Sequence, residues 1–585
     1  MKLWISFAAL LVTPSLALSA TYYVDFLSGS DLNSGASKAS SWKRAPGMNG
    51  FAGTYSHSAG DQFIFKGGVT WDNTIAPWLT SAGGSATGGS GANCASMTVS
   101  TAQCDYYGVD QTWYTGGAWS QPVFDGGSQL PIPGPQVSGY FHFTGSYLTI
   151  DNLRVQNIGI AGVGQDNYAL NIGGHDTLIE NMTLAVESRI GIVTGVSNQE
   201  IRNNDISKCS WGIGGGASPG NKVISNILVH DNVFHDFHSQ QASGSHGDEM
   251  YFYSIDSDPT AYIDNLRFYN NMSYGDFTAS DGPFAIVRIA RNQAGTGYRV
   301  GDIVTPKVTP GAGASFLVYS VGVGGAVTGL VLKTGGANYK TTIGALGKDI
   351  PTAGGSGSGL TVDVSWVESS GMGAMFRVDS PNGTQYAYNN HASMSSGSTF
   401  STMIWVNGNG SSWSQKYGYR GHGTFHCFNN SFIVPSSAGW GISASMLDLL
   451  EIKNNIIVGT SFSVYLKAYG PVDSYVINYN LMNGWGSRPG VIYGNPDYNN
   501  WAAWQAGGYD VNGVHADPLF VNATDSGSGA NLQLQLSTPA SGKGMNLFSI
   551  FTMDAVGSPR PNSGPWDLGA YQLLNPPTNL KLTVR

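Results

Sequence analysis

The polar chemistry of this chain gathers in its middle third. Arg377 and Asp379 stand two apart in MFRVD, Glu249 heads EMYFY with Tyr251 and Tyr253, and MIWVN carries Trp405 and Asn407. An arginine offers a permanent charge and a planar fork that matches a carboxylate. A tyrosine beside it can move a proton if the guanidinium lowers its pKa, and two carboxyls held close together can divide acid and base work. Asp248, Glu249, Asp256 and Asp258 form a cluster of hard oxygens of the kind calcium takes, without EF-hand spacing; SIDSDP is equally an ordinary turn with solvated acids. His246 in SHGDE, and His422 in RGHGTFH near Lys416 and Arg420, are further acid/base or binding candidates. No G-x-S-x-G, Walker loop, HExxH or paired C-x-x-C occurs, which leaves no motif for serine-hydrolase, nucleotide or zinc chemistry.

These residues must be positioned by something other than a helical scaffold. Charged residues make up 11% of the 585, against about 25% in a typical domain, while there are 81 Gly, which excludes coiled coils and helical bundles. Twelve per cent of residues are aromatic, enough to display rings as well as bury them. With 28 basic against 37 acidic side chains and no Lys/Arg-rich run, the chain lacks the footprint of a nucleic-acid binder. Residues 1–20 read as a signal peptide, with Lys2, an apolar run from Leu3 to Val12 and a small-residue end, so the mature chain is expected to be secreted or periplasmic. No later segment is long and apolar enough to span a membrane. Export permits disulfides, and Cys94 and Cys104, ten apart in a Gly/Ser/Ala-rich loop, are expected to pair.

A repeat organises the rest. An apolar alternation, an Asn and a second short apolar stretch recur, with the Asn at 152, 181, 204, 232, 271, 390, 430, 455 and 480. A period in the twenties fits one coil of a parallel β-solenoid, with the Asn in the bend between two strands, adopting a left-handed conformation and bonding to its equivalents in adjacent coils. The gap of 119 between Asn271 and Asn390 contains a change of texture over 291–366 to Gly/Val/Thr-rich segments without Asn rungs, which reads as a β-rich insert on one loop. At four rungs of about 4.8 Å, Cys209 and Cys427 are too far apart to bond and are expected as buried thiols.

The opening TYYVDFLSGSDLNSG with WKRAPGM and GDQFIFKGG, the Asn rungs, and the closing GVHADPLFVN, LQLQLSTPASGKGMN and RPNSGPWDLGAYQ resemble secreted right-handed parallel β-helix proteins of the pectate-lyase-like superfamily. The insert is similar to Gly-rich modules of phage tail proteins. The resemblance implies an all-β, right-handed parallel β-helix over residues 21–290 and 367–574, with the insert at 291–366 and a tail at 575–585. It also implies that the Asn turn separates the second and third sheets and that the outer face of the first sheet carries a substrate groove. Strand alternation then sets Tyr251, Arg377, Trp405, Gly441 and Tyr465 in one outward column, Tyr253, Asp379, Asn407, Ser443 and Lys467 in the next, and Glu249, Met375 and Met403 in a third.

On this placement the first expectation is a polysaccharide lyase cleaving an acidic glycan by β-elimination, with Arg377 neutralising a uronate, Tyr251 moving the proton, and Asp379, Glu249 and His246 as further catalytic candidates. Tyr253 and Trp405 would stack on sugar, and Asn407, Lys416, Arg420 and His422 would bind it; calcium is implied by lyases of the superfamily, on Asp248, Asp256 and Asp258. The alternatives are an Arg377 held as a plain ion pair, a glycoside hydrolase using paired carboxylates on the same groove, and a non-catalytic adhesin or tailspike-like solenoid, monomeric or trimeric. Glu249 and Asp379 themselves, at about 14 Å in this register, are too far apart for a hydrolytic pair.

Overall fold

A buried side-chain amide has two donors and an acceptor to satisfy, and stacked coils with an amide at the same bend can satisfy one another. In the computed structural model this produces three parallel sheets of 12, 11 and 11 strands, wound as a right-handed parallel β-helix, the fold expected from the resemblance. The structure describes residues 19–573 apart from 91–93, 95–99, 127–138, 159–167, 187–189, 218–220, 238–246, 255–259, 276–285, 340–346, 367–372, 380–381, 395–401, 408–422, 435–438, 467–470 and 524–528. The expected signal sequence, up to residue 18, and the tail from 575 lie outside the described residues. Each coil runs through a first-sheet strand such as Asp248–Tyr253, a second-sheet strand such as Tyr262–Tyr269, the Asn turn, and a short third-sheet strand such as Met272–Gly275.

The turn divides two tasks between neighbouring residues. The first, as at Asn203, Asn270, Asn389, Asn429 and Asn454, takes the left-handed backbone conformation. The second forms the ladder: the Nδ2 of Asn204 donates to Asn232 (2.9 Å), Asn232 to Asn271 (3.1 Å), Asn271 to Asn390 (3.1 Å), Asn390 to Asn430 (2.9 Å), Asn430 to Asn455 (2.9 Å), Asn455 to Asn480 (3.0 Å), and Asn480 to Asp510 (2.8 Å). Each acceptor oxygen also takes the backbone N–H of its neighbour, as Asn455 Oδ1 does from Asn430 N (3.0 Å). Two expected members differ. Asn152 and Asn181 occupy the left-handed position themselves (φ 59° and 55°), with Leu153 and Met182 where the ladder residue would be, so the ladder begins at Asn204.

The left-handed Asn of a pair is free to reach outward. Asn429 Nδ2 donates to the carbonyls of Asp567 (3.2 Å) and Gly569 (3.0 Å), Asn454 to Met545 O (2.8 Å) and Asn389 to Met553 O (2.8 Å), while Phe551 stacks on Tyr388 at 4.6 Å. The C-terminal segment is thereby seamed along the turns of three successive coils. Apolar side chains from all three sheets fill the interior from Val24 to Ile492.

From Ile286 to Trp366 the connection between third-sheet strand Met272–Gly275 and first-sheet strand Ala374–Asp379 holds a separate six-stranded antiparallel sheet with its own core, including Phe316, Val318 and Val362. Its Tyr319 reaches the N-terminal coils and donates to Asp125 Oδ1, which also accepts from Asn157 Nδ2 (3.3 Å). Cys94 and Cys104 are disulfide-bonded, and Cys209 and Cys427 are buried thiols. No helix among the described residues is long and apolar enough to cross a membrane.

On the third sheet's outer face, His235 is clamped between Asp205 (2.9 Å from Nε2) and Asp236 (2.8 Å from Nδ1), its ring parallel to Tyr274 at 5.0 Å. Burial opposes its charge, but the two carboxylates prevail and raise its pKa to about 9. A raised folded-state pKa contributes stability that is complete below the unfolded value of about 6.5 and fades as pH rises through about 9. The melting-temperature advantage of the wild type over His235→Gln is therefore expected to be larger at pH 6 than at pH 10, read by thermal scans at one scan rate. Asn430→Ala, which removes one rung and strands the Asn390 and Asn455 amides, should cost about 2–4 kcal/mol at either pH in urea unfolding.

Candidate functional site

The first-sheet strands Asp248–Tyr253, Ala374–Asp379 and Thr402–Asn407 are consecutive neighbours, pairing Tyr251 with Arg377 and Trp405, and Tyr253 with Asp379 and Asn407. The two columns expected in the middle of the solenoid are thus present across these coils. One coil further the register differs from expectation: Trp405 faces Ser443 and Asn407 faces Ser445, so Gly441 leaves the first column and Ser443 leaves the second. Tyr465 keeps its place beside Ser443, and Lys467 lies outside the described residues.

Arg377 is the centre of the cluster. Its Nη2 and Nε lie 2.7 and 3.2 Å from Asp379 Oδ2, and its Nη1 lies 3.9 Å from Asp248 Oδ2. The rings of Tyr251 and Trp405 sit on either side of it, each with its centroid 4.8 Å from the guanidinium carbon. Tyr251 donates its phenol to Asp379 Oδ2 (2.9 Å), and Trp211 meets the Tyr251 ring edge-on at 4.6 Å. Arg377 is 8% exposed, Asp379 2% and Trp405 4%. Trp405, expected to stack on sugar, gives one face to the guanidinium and is almost fully buried. Tyr253, at 41% exposure, is the open ring at this edge; it lies across Gly216, where a Cβ would approach two of its ring carbons to 2.9 Å. Asn407 is buried, its Oδ1 taken by Ser445 Oγ at 3.0 Å.

The electrostatics follow from burial. Desolvation raises the Asp379 pKa, with Arg377 and the Tyr251 hydrogen bond opposing it. Two carboxylates and a Tyr neighbour raise that of Arg377 against desolvation, so it remains a cation. Tyr251 was expected to be made acidic by the guanidinium. Burial and Asp379 outweigh that attraction and push the phenol well above its ordinary value, so Tyr251 is a proton donor at neutral pH. Asp379 Oδ1 is buried without a hydrogen-bond partner.

Glu249 is not on the outer face. Strand pairing registers Asp248 and resumes at Met250, and the intervening position turns inward in every coil: Gly191, Gly212, Met375, Met403, Gly441 and Ser463 occupy it elsewhere, all buried. Glu249 is fully buried and bonded through Oε1 to Ser273, and burial drives its pKa far upward. The same break in alternation turns Asp248 outward. Its Oδ1 accepts the Ala374 N–H (2.8 Å), and its Oδ2 faces Arg377. The sequence reading missed this second carboxyl because it was counted with the metal candidates. Trp211 and Trp440 were also missed; Trp440 lies 6.2 Å from Trp405 and stacks on Tyr465 at 4.1 Å.

His246, Asp256, Asp258, Lys416, Arg420 and His422 lie outside the described residues. Among the described residues no group of three or more His, Cys, Asp or Glu forms a cage for a metal ion. Asp248 faces the Arg377 guanidinium and accepts the Ala374 N–H.

No protein-family model and no curated protein matches the chain. Among solved structures it is similar to pectate lyase Pel9A (12% identity, 95% of this chain and 97% of that one, TM-score 0.43), to XylC in complex with xylose (10%, 95% and 98%, 0.37), and to a rhamnogalacturonan lyase (12%, 86% and 91%, 0.33). The likeness is one of fold. The fold itself rests on the strand registers above.

Removing one member of a buried ion pair leaves the other uncompensated, whereas replacing both by apolar groups is mild. Asp379→Ala should destabilise the protein by about 3–5 kcal/mol, and the Asp379→Leu, Arg377→Met double variant by less, both read by urea unfolding.

Proposed function

We propose that the protein is an exported carbohydrate-active enzyme that binds a glycan on the outer face of the first sheet and hydrolyses it with Asp379 and Asp248 as the working carboxyls. The observation that carries this reading is that both carboxyls address one guanidinium. Contacts of 2.7 and 3.9 Å, with about 2.3 Å between the terminal nitrogens, keep the two nearest oxygens within about 9 Å, below the upper limit of the span that glycoside hydrolysis uses. Asp379, whose pKa burial raises, is suited to hold the proton for the leaving oxygen, and Asp248, as buried as Asp379, to serve as the second carboxyl once substrate opens the cluster. Arg377 keeps the pair apart in charge and in space, and Tyr253 offers a sugar-sized ring at the rim. The Cys94–Cys104 disulfide fits an oxidising compartment.

Charge supports hydrolysis of a neutral glycan over elimination on a uronate. The cluster has two carboxyls to one guanidinium, and the chain carries −9. For β-elimination Arg377 would have to meet a substrate carboxylate, yet both its faces are covered by rings and its edge is bound to Asp379. One feature favours elimination as the second reading: a protonated Tyr251 beside a permanent cation is a suitable donor to a leaving oxygen.

Products separate the two. With neutral and acidic polysaccharides in a chelator-controlled panel, new reducing ends without absorbance from unsaturated sugars are expected. Asp379→Asn, which keeps the shape and the Tyr251 contact, should lower kcat at least about 100-fold. Unsaturated products, or an Asp379→Asn enzyme with wild-type turnover, would overturn the hydrolytic reading.

A further inference from the structure

The insert leaves the solenoid at the edge between the third and first sheets, in the connection between Gly275 and Ala374. Its second point of attachment is at the same edge, but toward the N-terminus. Asp125, which accepts the Tyr319 phenol, ends the third-sheet strand Val123–Asp125, and that strand is five places before Met272–Gly275 in the sheet order. At about 4.8 Å per rung the two attachments are about 24 Å apart along the axis, a distance the insert's 11-residue strand Ile286–Thr296, at about 3.3 Å per residue, can cover. The Asp125 side of the contact is built: its carboxylate is 3% exposed and is held by Gln156 Nε2 (2.7 Å) and Asn157 Nδ2 (3.1 Å).

Between these attachments the first sheet's outer face carries Tyr168, Ile190 and Trp211 in the column nearest the third-sheet edge and is low in the columns beyond it. Its strands Tyr168–Ile172, Ile190–Thr194 and Trp211–Gly216 align Asn171, Val193 and Gly214 in the column that continues into Tyr251 and Arg377. Gly216 lies in the column that continues into Tyr253 and Asp379. The floor therefore ends at the exposed Tyr253 ring and, one coil on, at the buried and unpartnered Oδ1 of Asp379.

We propose that the insert, strapped to the N-terminal coils by the Tyr319–Asp125 hydrogen bond, is a specificity wall: it borders this low floor along the third-sheet edge and admits linear glycans to Asp379 while excluding branched ones. The inference rests on the first sheet being the glycan face. It adds which segment selects among glycans, and by what contact. A wall acts by obstruction, so loosening it widens what the enzyme accepts instead of abolishing turnover.

The test compares wild type with Tyr319→Phe, which loses only the O–H donor, on linear xylan, mannan and glucan oligosaccharides and on arabinosyl- or galactosyl-branched forms of the same backbones. Hydrogen exchange is followed at 123–126 and 315–321. The variant should exchange faster at both segments, and its preference for linear over branched substrate, as a ratio of kcat/KM, should fall about tenfold, with kcat on linear substrate unchanged. Val193→Trp, which raises the floor and leaves the Tyr319–Asp125 hydrogen bond in place, should raise KM for linear chains about tenfold at unchanged kcat. Unchanged exchange removes the strap. Faster exchange with an unchanged preference removes the wall while leaving the enzyme reading standing. A wild type that neither cleaves nor, in gels containing the polysaccharides, is retarded by any of them overturns both.

Discussion

The structure depends on a run of buried amides, each bonded to its equivalent in the next coil and to a backbone carbonyl of the preceding one. From Asn204 to Asn480 each ladder amide donates to the next coil, ending on the acceptor Asp510, and each acceptor oxygen also receives a backbone N–H. An offset of one residue in any coil would leave buried donors and acceptors unpaired on both sides, at about 1–3 kcal/mol each. The ladder thus sets the register of the second and third sheets. The strands of the first sheet inherit that register through loops of very different lengths, including one that contains the entire insert. This is why Tyr251, Arg377 and Trp405, separated by up to 154 positions in the chain, come to lie on adjacent rungs.

Given that frame, the cluster around Arg377 follows from ordinary packing rules. A guanidinium is flat and weakly hydrated, and it stacks on rings above and below while its edge meets carboxylates. Neighbouring coils supply the rings from one outward column, Asp379 comes from the next column, and Asp248 comes from the start of the strand. The result is a cation enclosed so thoroughly that its chemical influence passes through the two acids that hold it.

Much of the architecture was legible in the sequence because repetition multiplies a weak signal. One Asn after an apolar alternation says little, whereas nine at coil spacing, with recognisable first and last coils, indicate a solenoid. The errors have physical causes. Alternation has a period of two, so it assigns faces but cannot distinguish offsets of two residues, and Ser443 was placed one column away from its true position beside Trp405. Glu249 was set outward because alternation was assumed to hold from the first residue of the strand. The counter-signal was present: Met375, Met403 and Gly441 at the same offset are not residues of a polar face. The outward turn of Asp248 toward Arg377 follows from that same irregularity, and the packing of Trp405 on Arg377 could not be read from a column alone, because a column does not say which face of a ring is covered.

The phenol that joins the insert to Asp125 also changes how the molecule can come apart. A stacked repeat in which every coil touches only its neighbours can peel from either end, one turn at a time. A tie from a late segment to an early one bridges five turns at once, so the N-terminal turns cannot leave the stack without also releasing a domain encoded some two hundred residues downstream. Tyr319 follows Asp125 by 194 residues in the chain, so during synthesis the tie has no donor until every one of those turns has been made.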